Sequence, residues 1–342
     1  MRSIRMFIII LYTSLIACKS STIEYAEGFD ELWQQTPYKV YTDSISSFPK
    51  NDALYFARGE LLFTHQQLRA SLYDYQQAYM LRPSSIYLQA IAVNFTQLQQ
   101  FDSAIVALHQ GMEQFPNDSV FYFQLIDVYT ANHKDSLALQ LLKPLLDSNI
   151  NNASYIEKAA KIYVALKDTI QAILLLEQHY RANKKINNAT LQLANLYAET
   201  KNIKALQLSD AIIMEANTPY KASSYYVKGI YFVNMNELAA AIKMFDESIA
   251  HDWTFVEAYT DKGVILFKQK KYEEAKKVFE LSLKASNTYP DAYYWLGQCE
   301  EALSKKKEAE AYYRKAISLD RNFGEAKNAL KRVTFALHSV QE

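Results

Sequence analysis

The residues in this chain that could carry chemistry are few and scattered. Its six histidines, His65, His109, His133, His179, His251 and His338, never stand four apart, so no two present their rings to one metal ion from a single helix face. There is no HExxH, CxxC or GxSxG pattern and no glycine-rich phosphate loop. Most of the histidines fall near expected loops or helix ends, where a solvated or capping role is the ordinary one. Cys299, two residues after Gly297, reads as a small half-buried packing residue rather than a redox sensor. No catalytic residue, metal site or cofactor is therefore expected. The 37 basic and 37 acidic side chains cancel, so no overall field draws the chain to phosphate backbones, and nucleic acid is not an expected partner. Lys262, Lys268, Lys270, Lys271, Lys276 and Lys277 do cluster, and read as a solvated helix face and loop tip.

With so little catalytic material, the elements become the informative feature. Seven glycines and seven prolines punctuate 342 residues, half the residues are apolar, and no long apolar/polar alternation occurs. The expected class is all-α, with apolar material enough for a continuous core.

The N-terminus has a separate logic. Arg2 and Arg5 precede a run from Met6 to Ile16 that is apolar apart from Thr13 and Ser14 and is followed by Ala17 and Cys18. That is a secretory signal pattern, and the run is about half of the ~20 residues needed to span a bilayer. Leu15-Ile16-Ala17-Cys18 resembles the lipobox of bacterial lipoproteins. The resemblance implies a signal peptide over 1–17, cleavage before Cys18, and lipidation of Cys18 as a membrane anchor. Lys19 after the cysteine favours the outer over the inner membrane of a Gram-negative envelope. Cys299 is then the one thiol left in the mature chain.

Gly229, Gly263 and Gly297 stand 34 residues apart, and other columns align with them. Tyr225, Tyr259 and Tyr293 lie four before each glycine; Ala241, Ala275 and Ala309 lie twelve after it, and Phe245, Phe279 and Tyr313 sixteen after it. The aromatic and the glycine share a face of one helix. The alanine and the second aromatic share a face of the next, so the small residue lets the two helices approach. This pattern resembles the tetratricopeptide repeat family. The resemblance implies a right-handed superhelical α-solenoid of about eight helix pairs over 51–321. An irregular helical cap in 18–50 precedes it, and a capping helix and tail in 322–342 close it. Earlier pairs match less closely: Ile126 stands at a small position, Leu206 where the fifth alanine is expected, and Pro144 inside a second helix.

In that family the first helices line a concave groove. By the family's register Phe56, Phe123, Asn195, Tyr226, Asn234, Phe267, Tyr294 and Gln298 line it here, with Glu157, Lys161 and Leu191 beside them. The mix of aromatics and amides suits a peptide or a partner's helix, although aromatics at such positions also pack between repeats. The lysine and asparagine clamp with which some members hold a terminal carboxylate is not matched at Tyr226 with Ile230 or at Thr260 with Val264. Five Asp-Ser/Thr-aliphatic triplets resemble an O-glycosylation acceptor of some Gram-negative envelope proteins. Those at Ser103, Ser136 and Thr169 are explained by helix capping, which leaves Ser44 and Ser119 as candidates. The expected function is a membrane-anchored, non-catalytic protein-interaction scaffold or assembly factor. The alternative is a glycan-binding outer-membrane lipoprotein, which would need large loop insertions that the near-constant spacing leaves little room for.

Overall fold

The computed structural model describes residues 28–148 and 152–338, and within them the chain is helical throughout, with nineteen helices and no strand. The signal segment 1–17 and Cys18 lie outside the described residues. None of the described helices is long and apolar enough to cross a membrane. The chain forms two compact units that divide between Ser148 and residue 149.

Unit 1 begins with two short helices, α1 (Asp30–Trp33) and α2 (Lys39–Ser47). Three antiparallel pairs follow: α3 (Asp52–Thr64) with α4 (Leu68–Leu81), α5 (Ser85–Gln97) with α6 (Phe101–Gln114), and α7 (Val120–Ala131) with α8 (Asp135–Ser148). The opening helices are tied down by charge as well as by apolar packing. Arg58 on α3 makes a two-point bond to the Asp74 carboxylate on α4 at 2.8 Å, reaches the Thr42 hydroxyl on α2, and stacks 4.2 Å above the Trp33 ring. Both charges are buried, so each depends on the other. Pro144 sits inside α8, as the sequence places it.

Unit 2 holds five pairs and a last helix. The pairs are α9 (Ala153–Ala165) with α10 (Thr169–Asn183), α11 (Asn188–Glu199) with α12 (Lys204–Met214), α13 (Lys221–Asn234) with α14 (Leu238–His251), α15 (Val256–Lys268) with α16 (Tyr272–Ala285), and α17 (Pro290–Ala302) with α18 (Lys306–Leu319); α19 (Gly324–His338) packs on α18. First helices also stack on first helices, α9 on α11 and α11 on α13. Each unit is thus a stretch of α-solenoid.

Residue size explains the pairing. A methyl group added at Gly59, Gly263 or Gly297 would lie 2.8, 2.5 or 2.5 Å from the ring of Tyr75, Phe279 or Tyr313, sixteen residues on. The glycine is therefore the space the aromatic fills. Where the small position is alanine, at Ala92 and Ala160, the filler is Leu108 or Leu176, and all four are buried. In the fifth pair the alanine column shifts by one, because Ala205 rather than Leu206 takes the buried place. Its filler is only Ser209, whose hydroxyl is buried with no hydrogen-bond partner.

Every pair turns in the same way. The residue closing each first helix is left-handed: Gln66, Gln99, His133, Lys167, Lys201, Asn236, Lys270 and Ser304. The next N–H then reaches back to the helix, as from Lys271 to the Leu266 carbonyl and from Asp168 to that of Tyr163.

Candidate functional site

First helices build a cleft of about 410 Å³ in unit 2. Stacking of α9, α11 and α13 forms it, with Phe255 from the loop before α15 closing one side. Its apolar lining comes from Val164, Leu191, Leu196, Tyr226, Val227 and Phe255. Gln192, Asn195 and Ser223 supply amides and a hydroxyl, and Lys161 and Glu199 bring one charge of each sign. Asn195 donates to the Glu199 carboxylate at 2.7 Å, which holds both head groups in place.

Tyr226 belongs to cleft and core together. Its ring packs 5.6 Å from Phe245 and 5.1 Å from Phe255, and its hydroxyl donates to Asp261 at 2.7 Å. Burial, then the neighbouring Asp261 charge, push the Tyr226 pKa well up, so the hydroxyl stays protonated and remains a donor. Burial raises the Asp261 carboxyl as well. The Tyr226 proton stays in place near neutrality, and the pair serves as a fixed hydrogen bond.

The residues expected in a groove therefore divide. Asn195 and Tyr226 line the cleft, together with Lys161 and Leu191. Glu157 accepts from Asn188 at 2.7 Å. Asn234 donates to the Ala198 carbonyl at 3.1 Å in the last turn of α11. Phe267 is wedged between Tyr272 and Trp295, and Tyr294 packs against Trp295, Tyr313 and Phe323. In unit 1, Phe56 sits between Tyr75 and Tyr87. These three rings hold neighbouring pairs together and offer only part of their surface. Phe123 on α7 and Gln298 on α17 are half-buried and lie outside the cleft.

Several cleft residues escape the register reading. Gln192, Leu196 and Val227 follow groove positions by one residue, and Phe255 lies in a loop. Phe255 was nonetheless legible, since Phe255, Tyr289 and Phe323 repeat at 34 residues.

The glycosylation candidates are placed differently from expectation. Ser44 is half-buried in the middle of α2 and donates to the Val40 carbonyl at 2.8 Å. Ser119 is exposed immediately before α7, and its neighbour Asp118 caps that helix by accepting from the Val120 N–H. Of the three triplets assigned to capping, Asp168 makes a side-chain capping bond, accepting from the Gln171 N–H, and α6, which carries Asp102 and Ser103, has no side-chain bond at its N-cap. Cys299 is fully buried rather than half-buried, and burial first, then Glu300, push its thiol up to about 12.

Comparison with known proteins agrees with this architecture. Residues 256–289 and 290–323 each match a family model described as a tetratricopeptide repeat. The crystal structure of a tetratricopeptide repeat protein from Parabacteroides merdae is similar over 73% of this chain and 98% of that one, with TM-score 0.54 and 20% identity. The structure of PilW, a type IV pilus biogenesis factor, is similar over 62% of this chain and 98% of that one, with TM-score 0.50 and 16% identity. These two likenesses concern the fold. No curated protein matches the chain.

Proposed function

We propose, from the premise that the chain belongs to the tetratricopeptide repeat family and is a protein-interaction scaffold, that it is non-catalytic and recruits a partner segment into the unit 2 cleft while held at a Gram-negative cell envelope. The observation that carries this reading is the cleft itself. It joins an apolar lining large enough for two or three side chains to amides that can pair with a peptide backbone. Its rim charges, Lys161 and Glu199, offset one another, so apolar contact and hydrogen bonding would select the occupant.

The envelope part rests on Arg2, Arg5, the apolar run and Cys18. Lipidation at Cys18 and an outer-membrane address belong to the proposal, as do glycans on Ser44 or Ser119. Labelling cells with a clickable fatty acid tests the anchor: label is expected on the native chain and not on Cys18→Ala. Label on neither form would remove the anchor from the account.

The binding part is tested with Val164→Asp and Leu191→Asp, which place charges in the cleft without touching the Phe245–Tyr226–Phe255 stack. Crosslinking in cells and purification through a C-terminal tag are expected to recover a protein partner with the native chain and much less with the double variant. Undiminished recovery with a folded variant would remove the cleft from the account. Enrichment of a bound glycan in place of a protein would favour the sugar-binding alternative.

A further inference from the structure

Unit 2 carries a charge asymmetry that its protein-binding cleft does not use. Each pair is antiparallel and first helices stack on first helices, so the turns within pairs share one edge of the unit and the loops between pairs share the other. The five turns within pairs, residues 166–168, 200–203, 235–237, 269–271 and 303–305, contain five lysines and two carboxylates, a net of plus three, and Lys204, Lys306 and Lys307 follow them in the first turns of α12 and α18. The loops between pairs, 184–187, 215–220, 252–255, 286–289 and 320–323, contain three basic and three acidic residues, a net of zero. Unit 1 lacks the feature, since its turns at 65–67, 98–100 and 132–134 have a single lysine.

Two further observations give the edge meaning. Lysine occupies the left-handed position at 167, 201 and 270, a conformation that favours glycine or asparagine and that unit 1 fills with Gln66 and Gln99. A basic residue thus stands at three positions where local backbone preference argues against it. Of the five turn lysines, Lys305 is the one that the described residues bring within ion-pair distance of a carboxylate, Glu300. Aliphatic side chains also stand between the lysines. Ile170 and Ile203 occupy equivalent places in adjacent pairs, two before the buried alanine, and are 72% and 54% exposed. The same place holds Arg69, Asp102 and Ser136 in unit 1 and Ala239, Glu273 and Lys307 in the rest of unit 2. Leu166 and Met235 extend the exposed aliphatic set along the same edge.

We infer that this edge of unit 2 docks on an anionic lipid surface, the lysines facing headgroup phosphates and Ile170 and Ile203 entering the interface between them. Lysines interleaved with aliphatics suit a bilayer boundary, where charge and apolar area act together. A soluble polyanion would engage the lysines and leave the isoleucines unused. The inference is independent of the cleft and of lipidation at Cys18.

The test uses the full chain carrying Cys18→Ala, so that no acyl chain contributes. Co-sedimentation is measured with vesicles of equal parts phosphatidylglycerol and phosphatidylcholine, and with phosphatidylcholine alone. The neutral vesicles report whatever the Met6–Ile16 run adds. Preferential binding to the anionic vesicles is expected. Each lysine near an anionic surface contributes about fivefold, so Lys167→Gln, Lys201→Gln and Lys270→Gln together lower that binding about a hundredfold. Gln66 and Gln99 hold the same backbone position in unit 1, so this variant keeps its fold, as an unchanged circular dichroism melt verifies. Ile170→Gln with Ile203→Gln is expected to weaken vesicle binding too. Equal binding to both vesicle types, or an unaffected lysine variant, overturns the inference. So does an isoleucine variant that binds vesicles as well as the native chain while the native chain binds dextran sulfate equally well, which would assign the edge to polyanions.

Discussion

Exchanging the size of two residues in the seventh pair tests the packing account in detail. A methyl group at Gly263 would lie 2.5 Å from Phe279, about 1 Å closer than ordinary contact, against a ring that is itself fully buried. Overpacking of this kind costs about 1–3 kcal/mol, and alanine's better helix propensity returns about 1 kcal/mol. Gly263→Ala is then expected to destabilise the pair by about 0–2 kcal/mol, which includes the ring's displacement. Phe279→Leu leaves a void and costs about 1–2 kcal/mol. Together they recreate the combinations that pairs two and four already use, Ala92 with Leu108 and Ala160 with Leu176. The double variant is therefore expected near the native value, with a coupling of about 1–4 kcal/mol in its favour, equal to the sum of the two single effects. Urea unfolding followed by circular dichroism gives the global trend. Hydrogen exchange on α15 and α16 reads the local effect, which matters because repeat arrays need not unfold in one step. Additive single effects, within about 0.5 kcal/mol, would refute the complementarity argument.

Other consequences concern buried polar groups, the turns and the thiol. Ser248 and Ser282 are buried with unpartnered hydroxyls at a place where the eighth pair has Ala316, so Ser248→Ala and Ser282→Ala are each expected to stabilise by about 1 kcal/mol in urea unfolding. Asp74→Ala leaves the Arg58 guanidinium buried without its carboxylate, and is expected to cost about 3–5 kcal/mol, with α1 and α2 losing hydrogen-exchange protection first. Glycine in place of left-handed Lys201 relieves backbone strain, and Lys201→Gly is expected to raise stability by about 0.5–1 kcal/mol despite glycine's greater freedom when unfolded. Cys299 is expected to resist maleimide at pH 8 in the native chain and to react once urea exposes it, because burial holds its pKa near 12; peptide mapping by mass spectrometry separates it from Cys18.

The solenoid was legible because its cause is local and periodic. A glycine and an aromatic sixteen apart state both the helix contact and its size, and the 34-residue spacing extends that statement along the chain. Legibility failed where substitution removed the signal: with Ser209 in the filler place, nothing marked Ala205 rather than Leu206 as the buried residue. The turn lysines were hidden for the opposite reason. Residue preference directs the left-handed position to glycine or asparagine, and only the backbone shows that Lys167, Lys201 and Lys270 adopt it.

The candidate site was half legible. Register assigned Asn195 and Tyr226 to a first-helix face, and the cleft contains both. The same register could not separate a ring facing a groove from a ring wedged between pairs, because both need an aromatic at one helical position. Phe56, Phe267 and Tyr294 pack on rings of neighbouring elements, and Asn234 donates to a helix-end carbonyl. That a cleft forms here depended on how α9, α11 and α13 stack, and Phe255 entered from a loop that the first-helix register does not cover.

The central claim, that a partner segment occupies the unit 2 cleft, is tested most directly by photocrosslinking from inside it. A benzophenone amino acid replacing Val164 lies in the cleft, and one replacing Met214, 83% exposed on α12, lies outside it. Irradiation in cells is predicted to join one segment of one protein to the chain from position 164 and not from position 214. Capture of the same proteins from both positions, or of none from position 164, would contradict the account.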